Sequence, residues 1–319
     1  MPTEFDLIAR YFTRPAANAV LGVGDDAALL RPAPGMDLVV STDMLVACRH
    51  FLPDTDPYRL GHKTLAVNLS DLAAMGAIPR WATLALALPE ADEAWIEAFS
   101  RGLHDLADRF GVSLIGGDTT RGPLNLCVTV LGEVEAGRAL RRDGAQDGDD
   151  IWVSGELGAA AIGLQHLLGK LHLHDLEALS CTTRLETPEP RIVLGRALGG
   201  VAHAAIDLSD GLLADLGHIL ERSAVGAEID LCSLPAHPAI GARPTDAIAR
   251  RCLLAGGDDY ELCFTAPATV AEAVLLAGAM AGVAVTRIGR ITRQAGLRGR
   301  DANGRIDTLD IHGFDHFAD

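Results

Sequence analysis

The residues most able to do chemistry in this chain are aspartates that follow apolar segments. Five times an apolar or small-residue run leads into Gly, Ser or Thr beside an acid. The instances are Leu21-Gly22-Val23-Gly24-Asp25-Asp26, Leu38-Val39-Val40-Ser41-Thr42-Asp43, Leu114-Ile115-Gly116-Gly117-Asp118, Ala205-Ile206-Asp207-Leu208-Ser209-Asp210 and Leu254-Ala255-Gly256-Gly257-Asp258-Asp259. Any one of them reads as turn chemistry, since Asp and Gly are common turn residues. Together they read as a cleft of hard oxygen ligands. Unpaired carboxylates are too costly to bury without a purpose, and glycine lets backbone approach a ligand closely. Carboxylates with the Ser41 and Thr42 hydroxyls suit Mg2+, which keeps several waters and takes further ligands from substrate phosphates. Such a site binds nucleotide through metal and stabilises a migrating phosphoryl group.

Two further features stand beside this set. Asn68 and Asp71 are three apart and share a helix face, with Leu65, Leu69 and Leu72 on the buried side. Asp71 is then either a surface residue or a ligand. His50 follows Cys48-Arg49 just after the Ser-Thr-Asp segment, where it could point at a bound substrate.

Several familiar motifs fail. No G-x-x-x-x-G-K-[ST] occurs, and Gly61-His62-Lys63-Thr64 has His62 where glycine is required, so a P-loop kinase is excluded. Gly22-x-Gly24-x-x-Ala27 matches a relaxed dinucleotide fingerprint. Its variable positions, Asp25 and Asp26, would repel a pyrophosphate, and Pro32 and Pro34 fall where a helix should run. No H-E-x-x-H, G-x-S-x-G or H-R-D motif is present.

The elements that must position these acids are mixed. Residues 4–13 read as a short amphipathic helix. Strands are expected at 37–41, 81–88, 112–115 and 124–132, with acids at their ends. Residues 62–75 read as a helix, and in 92–110 the apolar residues Trp95, Phe99, Leu103, Leu106 and Phe110 fall on one helical face. Residues 138–150 are polar and Gly/Asp-rich, the expected seam between domains. A strand at 150–154 and a small-residue helix from 157 follow. Residues 169–191 are expected to be partly looped. Leu212, Leu213, Leu216, Ile219 and Leu220 form a helical stripe with Ser209 or Asp210 as N-cap, and 283–311 reads as short strands.

A chain of 319 residues suggests two domains. With 27 Lys+Arg against 43 Asp+Glu the formal charge is −16, which argues against nucleic acid as a partner. Apolar residues at 49% and charged ones at 22% indicate a folded chain. The apolar run at 273–285 is shorter than the roughly 20 residues of a membrane span, and the first residues lack the basic start of a signal peptide. Six scattered cysteines without a C-x-x-C pair read as reduced thiols of a cytoplasmic protein. The fold class expected is α/β (α+β) in two domains, 1–137 and 138–319.

At these same residues the sequence resembles the thiamine-monophosphate kinase family, within the larger group built like aminoimidazole ribonucleotide synthetase. The resemblance runs through Gly24-Asp25-Asp26-Ala27-Ala28, Ser41-Thr42-Asp43-Met44-Leu45-Val46, His50-Phe51, the long Ala66-Val67-Asn68-Leu69-Ser70-Asp71-Leu72-Ala73-Ala74-Met75-Gly76-Ala77 stretch, Gly116-Gly117-Asp118-Thr119-Thr120, Ile206-Asp207-Leu208-Ser209-Asp210-Gly211-Leu212, Gly256-Gly257-Asp258-Asp259-Tyr260-Glu261-Leu262 and Gly313-Phe314-Asp315-His316-Phe317. It implies transfer of the γ-phosphoryl group of ATP to thiamine monophosphate, giving thiamine diphosphate. It also implies several Mg2+ ions, direct in-line transfer and a homodimer pairing its N-terminal sheets. The N-terminal domain would bind metal and ATP and dimerise, and the C-terminal domain would complete the cleft.

Carried over by position, Asp26, Ser41, Thr42, Asp43, Asp71, Asp118, Asp207 and Asp210 resemble the metal-binding set, with Asp43, Asp71 and Asp210 closest to catalysis. Gly117, Asp118, Arg142 and Ser209 resemble nucleotide contacts. His50, Asp258 and Phe314 resemble the thiamine-phosphate side, Phe314 offering a flat face to the thiamine rings. Two positions depart from the family: Asp258 stands where Glu is usual, leaving either a water-mediated contact or a larger part for Asp259. Phe314 replaces a Tyr or Trp. A phosphate acceptor is already ionised near neutral pH, so the chemistry calls for bringing anions together rather than for a general base. The competing readings are another ATP-dependent enzyme of the same structural group and a non-catalytic nucleotide or thiamine-phosphate sensor.

Overall fold

Residues 3–309 are described by the computed structural model. Their contacts divide them into two units. The first takes the described residues up to Leu72 and Ala77–Gly137; the second takes Ala73–Gly76 and the described residues from Arg138 on.

The first unit begins with α1 (Glu4–Leu7), where Thr3 and Asp6 form a capping box, and runs directly into a π-helical turn at Ile8–Phe12. Its sheet is built from β1 (Met36–Val46), β2 (Ile78–Leu88), β3 (Ser113–Arg121) and β4 (Asn125–Glu135), in the order β1-β4-β2-β3. Only β2 and β3 run parallel. Between the strands lie α2 (Pro57–Ala74) and α3 (Glu93–Phe110). Asp92 caps α3 by accepting from the N–H groups of Ala94 and Trp95, and Gly111 ends it in the left-handed conformation. The apolar stripe recognised in the sequence is buried at Phe99, Leu103 and Leu106.

The strands are longer than their apolar segments. Ser41, Thr42 and Asp43 lie inside β1, and Gly117 and Asp118 lie inside β3, not beyond a strand end. Neither segment holds a proline, and β-branched Thr42 and Thr119 continue the pleat.

The second unit contains, in chain order, β5 (Asp150–Ser154), α4 (Ala159–Leu167), α5 (Asp175–Glu186), α6 (Ile192–Ala197), β6 (Ala204–Asp207), α7 (Leu212–Ser223), β7 (Gly226–Asp230), α8 (Pro238–Gly241), α9 (Ala247–Ala255), β8 (Leu262–Ala266), α10 (Ala271–Ala281), β9 (Val285–Thr292), β10 (Gly296–Arg300) and β11 (Ile306–Thr308). The sheet order is β11-β10-β7-β9-β5-β8-β6, and only β7 and β10 pair in parallel. Strands β5, β6 and β8 are buried along their whole length, so they carry continuous rather than alternating apolar sequence. Their residues Ile151, Val153, Ile206 and Cys263 pack with Leu212, Leu216 and Ile219 of α7. A smaller cluster joins Ile162, Cys181, Ile240 and Cys252 from α4, α5, α8 and α9.

Two local expectations change. The segment 169–191, expected to be partly looped, holds the twelve-residue α5, whose Cys181 and Leu185 are buried. Helix α7 begins after Gly211 without a side-chain cap from Ser209 or Asp210. Mixed strands and helices in both units make this an α/β (α+β) protein. Among the described residues no helix is long and apolar enough to cross a membrane.

Candidate functional site

In the first unit, alternation along β1 places Ser41 and Asp43 on one face and Thr42 on the other. Helix α2 serves the first face. Ser41 Oγ donates to Asp71 Oδ2 at 2.5 Å, and the Asp43 N–H donates to Asn68 Oδ1 at 3.0 Å. Asn68 is itself oriented by donating Nδ2 to the Thr64 carbonyl. Burial raises the Asp43 carboxyl to about 6, and the nearby Asp71 charge adds to the shift. These two acids therefore form an electrostatically unfavourable pair that a cation would relieve.

Thr42 is not gathered with them. Its Oγ1 lies 2.8 Å from Thr129 Oγ1 on the opposite face. The register Met44–Cys127–Ala85–Asp118 puts Asp118 on that same face. A cavity of about 730 Å3 brings Asp118 together with Gly24, Asp25, Asp26, Gly117 and Thr119 against an apolar wall that includes Phe5, Ile8 and Phe12. Glycine is needed at 117: φ is +149°, and a Cβ there would lie 1.8 Å from the Leu84 carbonyl oxygen.

His50 Nδ1 accepts from the Val46 N–H at 2.9 Å, so the neutral ring carries its proton on Nε2. Lys63 is buried, with Nζ 3.4 Å from the His50 carbonyl oxygen, a structural position.

In the second unit, Asp207 is the buried last residue of β6, and Ser209 and Asp210 form the connection to α7. Asp215, which the sequence reading passed over, holds this connection. Its Oδ2 accepts the N–H groups of both Asp210 and Gly211 at 3.0 Å. The side chain is almost fully buried. Burial raises its carboxyl to about 8, helped by the charges of Asp207 and then Asp210, against the pull of the two N–H donors. The signal was present: Asp215 lies within the buried stripe from Leu212 to Ile219, where an acid has no place unless it is hydrogen-bonded.

The 256–261 turn backs directly onto the same connection. The Asp258 N–H donates to Ser209 O at 2.9 Å, the Tyr260 N–H to Leu208 O at 2.9 Å, and the Leu208 N–H to Glu261 O at 2.8 Å. Asp258 (φ +69°) and Tyr260 (φ +50°) are both left-handed, a conformation costing of order 1–3 kcal/mol for a residue other than glycine. The Tyr260 hydroxyl donates to Asp258 Oδ1 at 3.3 Å. Asp259 takes a different part. Its carboxylate accepts the Gly158 N–H at 2.8 Å and a bond from the Ala160 N–H at the start of α4, while burial pushes its pKa well up.

Arg142 is exposed, its carbonyl accepting from Ser223 Oγ at 2.9 Å. Phe314 lies outside the described residues. Each unit thus gathers its own acids: Asp43 with Asp71, Asp26 with Asp118, and Asp207 with Asp210 and Asp215. Among the described residues no three His, Cys, Asp or Glu side chains form a ready metal cage. The donor set nonetheless fits Mg2+, which is held by one or two carboxylates and completes its shell with water and phosphate oxygens.

The family model for "AIR synthase related protein, N-terminal domain" matches residues 24–134, which defines the class of the first unit. Over the whole chain the similarity is narrower. Thiamine-monophosphate kinase of Escherichia coli (strain K12) is 50% identical over 323 residues, covering 99% of this chain and 98% of that protein. The crystal structure of thiamine-monophosphate kinase from Stenotrophomonas maltophilia K279a superposes with a TM-score of 0.84 at 52% identity, covering 92% of this chain and 94% of that one. A structure described as "AaThiL complexed with AMPPCP and TMP" gives a TM-score of 0.78 at 30% identity, covering 92% of each chain. The chain belongs to the thiamine-monophosphate kinase family.

Proposed function

We propose that this protein transfers the γ-phosphoryl group of ATP to the phosphate of thiamine monophosphate, giving thiamine diphosphate and ADP by direct in-line transfer. The observation that carries this reading is the closeness of Asp43 and Asp71, on a strand and a helix tied together by the bonds from Ser41 Oγ to Asp71 and from the Asp43 N–H to Asn68. A catalytic-base histidine is not required, because the acceptor phosphate is ionised near neutral pH.

Asp26, Ser41, Thr42, Asp43, Asp71, Asp118, Asp207 and Asp210 would hold several Mg2+ ions. The ions held there would supply the positive charge that phosphoryl transfer between two anions requires. The chain's own residues do the positioning. Ser41 and Asn68 fix the Asp71 and Asp43 ends of the pair. Gly117, which would meet nucleotide, lets β3 lie against the Leu84 backbone of β2 beside Asp118, and Asp215 holds the Asp210 backbone for its part. Arg142 and Ser209 would meet nucleotide. His50, with its proton on Nε2, and Asp258 would meet thiamine monophosphate, as would Phe314.

We assign the first unit, through residue 137, to metal and ATP binding and to dimerisation, and residues 138–319 to completing the cleft. Leu38, Val40 and Met44 stand 44, 57 and 52% exposed on one face of β1, an apolar surface suited to pairing with a second copy. The cytoplasm, which supplies ATP and keeps the six thiols reduced, is the compartment we assign. The test is ADP release: it should require both thiamine monophosphate and Mg2+. ADP formed equally without thiamine monophosphate would point to a different acceptor.

A further inference from the structure

We propose that Arg191 is a positioning residue for acceptor affinity: through its two-point bond to Glu261 it holds the 256–261 turn that carries Asp258. This rests on the reading that Asp258 belongs to the acceptor side of the site.

Glu261 is 2% exposed, and its carboxylate is surrounded by donors. Ser154 Oγ donates to Oε2 at 2.5 Å, Arg191 Nε donates to Oε2 at 2.6 Å, and Arg191 Nη2 donates to Oε1. Arg184 Nη1 lies 3.9 Å from Oε1. Ser154 is held in turn, its Oγ accepting the Leu262 N–H at 2.9 Å. Arg191 follows Pro188 and Pro190, which restrict the backbone that delivers it. Taking a carboxylate and a guanidinium out of water is expensive, and an apolar pair of equal volume stabilises a fold as well or better. What the fork supplies is geometry, because two parallel bonds fix orientation as well as position.

The geometry is used one residue away from the strained part of the turn. Glu261 follows left-handed Tyr260, and left-handed Asp258 lies two residues further back. Asp259, between them, is fastened to the start of α4. The turn is therefore held at both Asp259 and Glu261. Release of Glu261 lets Tyr260 and Asp258 relax to ordinary φ values, which moves the Asp258 side chain. The bonds from Asp258 and Tyr260 to Ser209 and Leu208 make the turn a neighbour of the nucleotide side, and Arg191 reaches it through the fork to Glu261.

The test compares Arg191→Met, Arg191→Lys, Asp258→Ala and the Arg191→Met/Asp258→Ala double variant, using thiamine monophosphate and Mg-ATP as the probes. Arg191→Met is expected to raise KM for thiamine monophosphate about ten-fold while kcat and the KM for ATP change less than about two-fold. Arg191→Lys keeps the charge but not the fork, and falls between. The double variant should be no worse than Asp258→Ala, since both act through one side chain. Equal losses in kcat and both KM values, or additive effects in the double variant, would overturn the proposal. Where Arg191→Met fails to fold, Arg191→Lys and Ser154→Ala carry the same comparison. An unchanged acceptor KM in Asp258→Ala would instead remove Asp258 from the acceptor side, and the proposal with it. Wild-type protein that makes no thiamine diphosphate would refute the functional reading itself.

Discussion

Ser41 and Asp71 are thirty residues apart and meet at 2.5 Å, a strand hydroxyl donating to a helix carboxylate. The bond occupies one oxygen of Asp71 and places that acid close enough to Asp43 to add to the rise in pKa that burial causes there. Two carboxylates arranged in this way disfavour each other until a cation arrives.

Replacement of either acid by its amide should therefore remove activity with little damage to the fold. Asp43→Asn and Asp71→Asn are each expected to lower kcat by about a hundred- to a thousand-fold, the range found when a group stabilising transition-state charge is removed. Circular dichroism and thermal melts should stay close to wild type. Near-normal turnover in both variants would place the metal elsewhere.

The same electrostatics predict a pH dependence of stability in the metal-free protein. Asp43 titrates near 6 and Asp215 near 8, both above the ordinary aspartate value of 3.8. Between the unfolded and folded pKa values the native state binds more protons than the unfolded one, so stability falls as pH rises from about 4 to 8. The melting temperature without metal should be several degrees higher at pH 5.5 than at pH 8.5. Asp215→Asn should flatten the upper part of that slope, and Mg2+ should restore stability most at the alkaline end. A melting temperature independent of pH and of Mg2+ would contradict this.

The exposed face of β1 gives a third expectation. Val40, the most exposed of its three large apolar residues, should lie inside the contact between two copies. Val40→Glu would place charge there and is expected to convert a dimer to a monomer in sedimentation equilibrium. A wild-type protein that sediments as a monomer would leave the apolar face for another partner.

Family and fold class were legible in the sequence because long, ordered motifs such as the stretch from Ala66 to Ala77 are hard to reach by chance, and because the α3 stripe has a clear period. Less was legible where tertiary structure decides. The acids of β1 and β3 read as strand ends, since the eye stops at the first polar residue; an alternating strand carries polar side chains as readily on its faces. That alternation also divides Thr42 from Ser41 and Asp43, which sequence adjacency had grouped. Asp215 was lost inside an apolar helix pattern, because its partners are the N–H groups of Asp210 and Gly211. The part played by Asp259 was equally hidden, since the helix start that it binds lies about a hundred residues earlier in the chain.

The central claim is tested most directly by phosphorus NMR of the purified protein with ATP, thiamine monophosphate and Mg2+. The expected result is that thiamine diphosphate and ADP appear together, in equal amounts, and that neither appears once Mg2+ is chelated. ATP that binds without any new diphosphate signal would contradict it and favour a nucleotide-binding sensor or another substrate within the same structural group.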